Sequence, residues 1–240
     1  MQEDDIIKHI KKIVDKIDSW LSNSESRFLY FIAKNGTAKG AIVEIGTWKG
    51  KATIWLAIGT KQAKREKVYT IDHHRGSAEH GNNVWTYPEF ERNINNAGVN
   101  DVVIPMIMKS EEAVKNWNKP IRFLWIDGAH EYESVKQDFL LWEPYLVNGG
   151  IIALHDTTTW AGPKKIVEEY ILNSNKFKNV GAVGTITFAE KVDRNSIFIR
   201  WKNSIVLFSR DISLKLKLPR YLKVAGREIL IALHLHPKIS

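Results

Sequence analysis

The chain has no cysteine among its 240 residues. That excludes a disulfide framework, a thiolate metal site and a thiol nucleophile. No uninterrupted apolar run approaches the roughly 18–20 residues that a membrane-spanning helix needs. The opening stretch MQEDDIIKHIKK is acidic and then mixed, without the apolar core of a signal peptide. No internal repeat or low-complexity segment stands out. These absences make a soluble, cytoplasmic protein the expectation. A hydrophobic content of 44% with nine tryptophans excludes a disordered chain. Acidic residues are scarce in one place only. Residues 191–240 carry 11 basic side chains against three acidic ones, which accounts for the whole net charge of +8. Residues 1–190 carry 24 charges of each sign. A neutral body with a basic tail disfavours nucleic acid as a partner.

What is present is an ordered alternation. Ile6, Ile10, Ile13, Val14, Ile17 and Leu21 recur at spacings of three and four, which predicts one amphipathic helix. Ser24 is a candidate cap for a second helix, RFLYFIAKN, that stops at Gly36. Five short apolar runs follow: AIVEIG (41–46), KVYTID (67–72), DVVIPMIM (101–108), RFLWID (122–127) and GGIIALHD (149–156). Each precedes a helical pattern. Runs apolar on both faces, alternating with helices, predict a parallel sheet covered on both sides. FKNVGAVGTITFAEKV reads as a hairpin that adds an antiparallel strand. The organisation expected is 1–36 as amino-terminal helices covering the site, 37–193 as the α/β domain and 194–240 as a basic helical extension.

The first strand–helix turn reads Val43-Glu44-Ile45-Gly46-Thr47-Trp48-Lys49-Gly50. Glycines let backbone approach a ligand closely, and helix-start N–H groups favour polar or anionic groups. Glu44 sits just before the turn, and Asp72 ends the next strand. An acid at Asp72 is placed to accept the hydroxyls of a ribose. Trp48 stands where a pyrophosphate-binding loop has its middle glycine. The ExGxxxG pattern followed by that acid resembles S-adenosylmethionine-dependent class I methyltransferases, in their catechol-type, metal-dependent branch.

A second stretch, IDGAHEYESVKQDFLLWEPYLVNGGIIALHD (126–156), resembles a bacterial methyltransferase family related to sugar and macrolide O-methyltransferases and to cephalosporin-hydroxylase-like proteins. The resemblance covers about residues 25–192. It implies a Rossmann-like class I methyltransferase fold, a mostly parallel seven-stranded sheet with one antiparallel strand and helices on both faces. It implies S-adenosylmethionine as donor, held by Glu44, Gly46, Thr47, Gly50, Asp72, Ser110 and Asp127, with Ser110 near the adenine. It further implies a divalent metal on Asp127, His155 and Asp156, and His130 as general base. Relatives usually carry Asp or Glu where this chain has His155. A nitrogen ligand there weakens the case for Mg²⁺ and favours a softer ion such as Mn²⁺ or Fe²⁺.

The acceptor expected is a small molecule or glycan hydroxyl, whose pKa a metal lowers and whose proton an imidazole can take. The polar stretch 73–85 could form a lid, and Trp160 either stacks on a sugar or packs. Two other readings stay open. One is an oxidative metalloenzyme using His130 and His155 with one Asp. The other is a binding protein whose basic tail docks to a membrane surface or an acidic glycan. Arg220, Lys223 and Arg227 share a helical face in that tail, which can equally pack on its own domain or on a homo-oligomer partner.

Overall fold

The five apolar runs become parallel strands because both of their faces are covered. In the computed structural model, which describes residues 3–77 and 84–215, these strands are β1 (Ala41–Ile45), β2 (Val68–Ile71), β3 (Val103–Met106), β4 (Ile121–Ile126) and β5 (Leu146–Leu154). The predicted hairpin supplies β6 (Phe177–Val183) and β7 (Ile186–Lys191). The sheet order is β3-β2-β1-β4-β5-β7-β6, and β7 is antiparallel to both of its neighbours. The strand order reverses between β1 and β4, the place where open α/β sheets bind ligands.

The alternation of side chains along each strand assigns the two helix layers. On β4, Phe123 and Trp125 join one core, with α1 (Glu3–Val14), α2 (Asn23–Asn35), α3 (Lys51–Gln62) and α4 (Tyr87–Asn96). Leu124 and Ile126 join the other, with α5 (Ser110–Ala113), α6 (Tyr132–Trp142), α7 (Ala161–Ile166) and α8 (Ile197–Lys215). A one-residue slip of β4 would exchange the two sets and bury neither well. Trp117 lies in the second core, edge-on to Tyr69 and Trp142.

The amino-terminal expectation needs two corrections. The first helix ends at Val14 and does not run to Leu21, although Ile17 and Leu21 are still buried. The cap of α2 is Ser22 and not Ser24. Ser22 wins because Glu25 stands three residues later. The Glu25 carboxylate accepts from the Ser22 N–H at 2.8 Å, and Ser22 Oγ accepts from the Glu25 N–H. At its other end α2 is held by Arg122 of β4, whose guanidinium donates to the Ala33 carbonyl at 2.8 Å and pairs with Glu66. Both ends of α2 are therefore tied down. Residues 78–83 of the expected lid, and Arg220, Lys223 and Arg227 of the tail, lie outside the described residues.

The tips of β1 and β4 meet at Gly46. It has φ +82°, and a Cβ there would fall 2.2 Å from the Asp127 carbonyl oxygen. Both the positive φ and the close approach require glycine. We expect Gly46→Ala to destabilise the fold by about 3 kcal/mol or more, read as a drop in the denaturant midpoint. An unchanged midpoint would show that the β1 tip can move away.

Candidate active site

The carboxyl ends of β1, β2, β4 and β5 open into one cleft of about 730 Å³. Backbone hydrogen bonds continue past the strands and fix what faces it. Gly46 N donates to Ile71 O, Asp127 N to Ile45 O at 2.8 Å and His155 N to Ile126 O at 3.0 Å. Of the residues predicted from sequence, Gly46, Thr47, Asp72, Ser110, Asp127, His130, His155 and Asp156 all line this cleft. Glu44 and Gly50 do not.

Their positions explain this. Glu44 points from β1 beneath α3, fully buried, where one oxygen accepts from Thr53 Oγ1 at 2.6 Å and the other has no partner. Burial drives its pKa well above the usual carboxylate range, and the Asp127 and Asp72 charges add to the rise against the Thr53 hydrogen bond. Gly50 caps α3 with φ +87°, and a Cβ there would meet the Phe90 ring at 3.0 Å. Its role is packing. Asp72 faces the cleft but is largely engaged by backbone. One oxygen accepts from Thr47 N at 2.9 Å and Trp48 N at 3.0 Å, and the other from His74 N at 2.6 Å. The carboxylate thus shapes the turn and retains acceptor capacity for one more donor.

The opposite wall holds a charge cluster. His155 is buried, and its Nδ1 lies 3.0 Å from Asp127 Oδ1 and 3.1 Å from Asp156 Oδ2. Its Nε2 faces Glu25 Oε1 at 3.6 Å, beyond hydrogen-bond length, so that contact is an ion pair across a small gap. Burial alone would strip the proton from His155. The Asp127 charge, the hydrogen bonds to Asp127 and Asp156 and the Glu25 contact outweigh it and push its pKa up to about 12. Burial also opposes the charge on Asp156, but His130, His155 and Thr159 hold it far below the usual carboxylate range. Asp156 has φ +56°, an unfavourable conformation for a residue with a side chain and one that recurs at functional sites. His130 Nε2 lies 3.1 Å from Asp156 Oδ2, and its ring stacks on Trp160 at 4.6 Å with planes 6° apart. The Trp160 ring therefore packs on the candidate base and also borders the cleft.

The cluster suits a divalent cation. One ligand atom each from Asp127, His155 and Asp156 lies within 4.8 Å of the others. His155 Nδ1 lies 3.0 and 3.1 Å from the two carboxylates, so one nitrogen and two oxygen donors are close enough to share an ion. An ion would take the place of the His155 proton, and Glu25 would then face Nε2–H as carboxylates commonly do behind a metal-bound histidine. His130 is not in that group, so the two-histidine iron triad gains no support.

Residues 43–157, from β1 to the residue after Asp156, match a family model described as a methyltransferase domain. That match spans β1 to β5 and the turns that line the cleft. The fold recurs in solved structures of low sequence identity. The O-methyltransferase NovP superposes with a TM-score of 0.63 at 18% identity, over 72% of this chain and 82% of that one. The O-methyltransferase TomG of Streptomyces achromogenes, solved with S-adenosylmethionine, gives 0.57 at 17% over 80% and 91%. CalS11, a TDP-rhamnose 3'-O-methyltransferase, gives 0.52 at 12% over 78% and 94%.

Two residues at or behind the cleft were missed from the sequence. Glu25, the capping partner of Ser22, is buried and accepts from Thr185 N, Thr185 Oγ1 and Ser22 while facing His155. Burial would raise its pKa, but these partners, His155 first, lower it to about 2. Asp138 of α6 is buried and borders the cleft beside Ser110. Ser110 itself accepts from Trp142 Nε1 at 2.8 Å. Burial pushes the Asp138 carboxyl up to about 6, partly offset by the Ser110 hydrogen bond. A raised carboxyl favours the fold below its unfolded pKa and loses that contribution as pH rises through about 6. Asp138→Asn should therefore stabilise the protein by about 1–3 kcal/mol at pH 8 and leave it unchanged at pH 4. Denaturant titrations at both pH values check this, and equal effects at the two would refute it.

Proposed function

We propose that the protein transfers the methyl group of S-adenosylmethionine to a hydroxyl of a small-molecule or sugar acceptor. The observation that carries the reading is the meeting, in one cleft at the β1/β4 reversal, of a nucleoside-type turn and the Asp127–His155–Asp156 cluster. The named acceptor of CalS11, a TDP-linked rhamnose, supports a sugar as one candidate class.

In this reading the donor lies along the Gly46–Trp48 turn, between Asp72 and Ser110, and its sulfonium methyl faces the Asp127 end. Asp127, His155 and Asp156 would hold a divalent cation such as Mg²⁺ or Mn²⁺. When bound, such an ion lowers the pKa of an acceptor hydroxyl and fixes its oxygen. Glu25 holds His155, so the amino-terminal helices build the site as well as cover it; Ser19 and Trp20 after α1 also border the cleft. His130 stands beside the cluster with Nε2 3.1 Å from Asp156 Oδ2, and its imidazole takes the hydroxyl proton as the oxygen attacks. The O–CH₃ bond forms, the S–CH₃ bond breaks and the sulfonium becomes a neutral thioether. The methyl is already activated, so alignment supplies much of the acceleration.

His130→Ala should lower kcat by about 10²- to 10⁴-fold while S-adenosylmethionine affinity, measured by calorimetry, stays within a few-fold. Acceptor product should gain the mass of one methylene. Failure to bind S-adenosylmethionine would refute the function. Intact turnover in the variant would refute only the assignment of the base.

A further inference from the structure

We propose that α8 is a docking helix that lays the protein on an anionic lipid bilayer. One side of α8 is anchored to its own domain. Val206 and Leu207 are buried, Asn203 Nδ2 donates to the Phe177 carbonyl at 3.2 Å, and Arg210 donates to Thr187 Oγ1 at 2.7 Å and Thr157 Oγ1 at 3.2 Å. These residues recur at spacings of three and four. At about 100° per residue, Ile197, Trp201, Phe208 and Ile212 fall on the opposite side of the helix. There Ile197 is 76% exposed, Trp201 62% and Phe208 67%, and the Phe198 ring lies 6.2 Å from that of Trp201, tilted by 37°.

A helix that served only its domain would carry polar residues on that side. Several exposed aromatic and branched side chains on one side of a helix mark an interaction surface. Its chemistry selects the occupant. By the same angular spacing, Arg200 and Lys202 stand at the two borders of the apolar row. The segment they belong to, residues 191–240, has 11 basic side chains against three acidic ones. A second copy docked on this row would set the basic borders, Arg200 and Lys202, of one chain against those of the other. Phosphate backbones offer nothing for an apolar row to enter. An anionic bilayer offers negative headgroups for the borders and an acyl boundary for Trp201 and Phe208, the arrangement of helices that lie in the membrane plane. Lying in the plane also agrees with the absence, among the described residues, of any helix long and apolar enough to cross a membrane. Through Arg210 and Thr157, the docked helix is linked to the residue that follows Asp156.

The test is co-sedimentation of the full chain with phosphatidylcholine vesicles, with and without phosphatidylglycerol. Binding is expected only to the anionic vesicles and is expected to weaken at high salt. Trp201→Ser combined with Phe208→Ser should weaken it by about tenfold or more, with circular dichroism and melting temperature unchanged because both side chains are exposed. Should that variant misfold, Trp201→Phe keeps the apolar row and serves instead. Brominated lipids should then quench the native protein's fluorescence more than the variant's. Absence of binding to anionic vesicles overturns the proposal. So does binding that ignores the double substitution, or equal quenching in the Trp201→Phe variant. A dimer in sedimentation velocity that the double variant abolishes would assign the surface to a second copy and overturn it as well.

Discussion

A buried imidazole facing three carboxylates organises this molecule. His155 is nearly out of water, so it can be charged only if acids surround it. Those acids come from three separate places: Asp127 at the β4 tip, Asp156 beside it at the β5 tip, and Glu25 from α2, about 130 residues away in sequence. Each brings its own support. Glu25 needs the capping box and the Thr185 donors, and α2 needs Arg122 at its far end. Asp156 needs the left-handed backbone that aims it at both imidazoles. With His155 protonated the four groups still sum to a net charge of −2, so a dication is a better occupant than a proton.

The sheet decides that this cluster faces the Gly46–Gly50 turn. Reversal of strand order between β1 and β4 opens the crevice, and Gly46 lets the two tips come into contact. The turn that starts at Gly46 and the acid that ends β4 are therefore neighbours by backbone geometry, before any side chain acts. Asp72 then uses its carboxylate to hold the turn's N–H groups in place. A methyl donor in the turn and a hydroxyl at the cluster would need little further alignment.

Much of this was legible in the sequence because strand ends are legible. Short apolar runs closed by an acid or glycine marked β1, β2, β4 and β5, and Asp72, Asp127, His155 and Asp156 were placed by lying at those ends. Side-chain direction was not legible. Glu44 and Gly50 sit in the same motif as Gly46, but period-two alternation turns Glu44 under α3, and Phe90 packs on Gly50. Glu25 was invisible for a different reason. Its local role as a capping partner explains its identity fully, and only tertiary contact reveals the second role. Asp138 likewise sits on a helix whose weak periodicity gives no sign that this position meets the cleft.

The central claim is that the donor methyl and a cluster-bound ion share one cleft. Mn²⁺-induced relaxation of ¹³C-methyl S-adenosylmethionine on the protein tests it most directly, because paramagnetic enhancement falls steeply with distance. The account predicts strong relaxation of the methyl carbon that disappears when Asp127 and Asp156 are both changed to Asn, while the donor stays bound. A methyl signal that Mn²⁺ leaves untouched in the native protein, with both ligands bound, would contradict it.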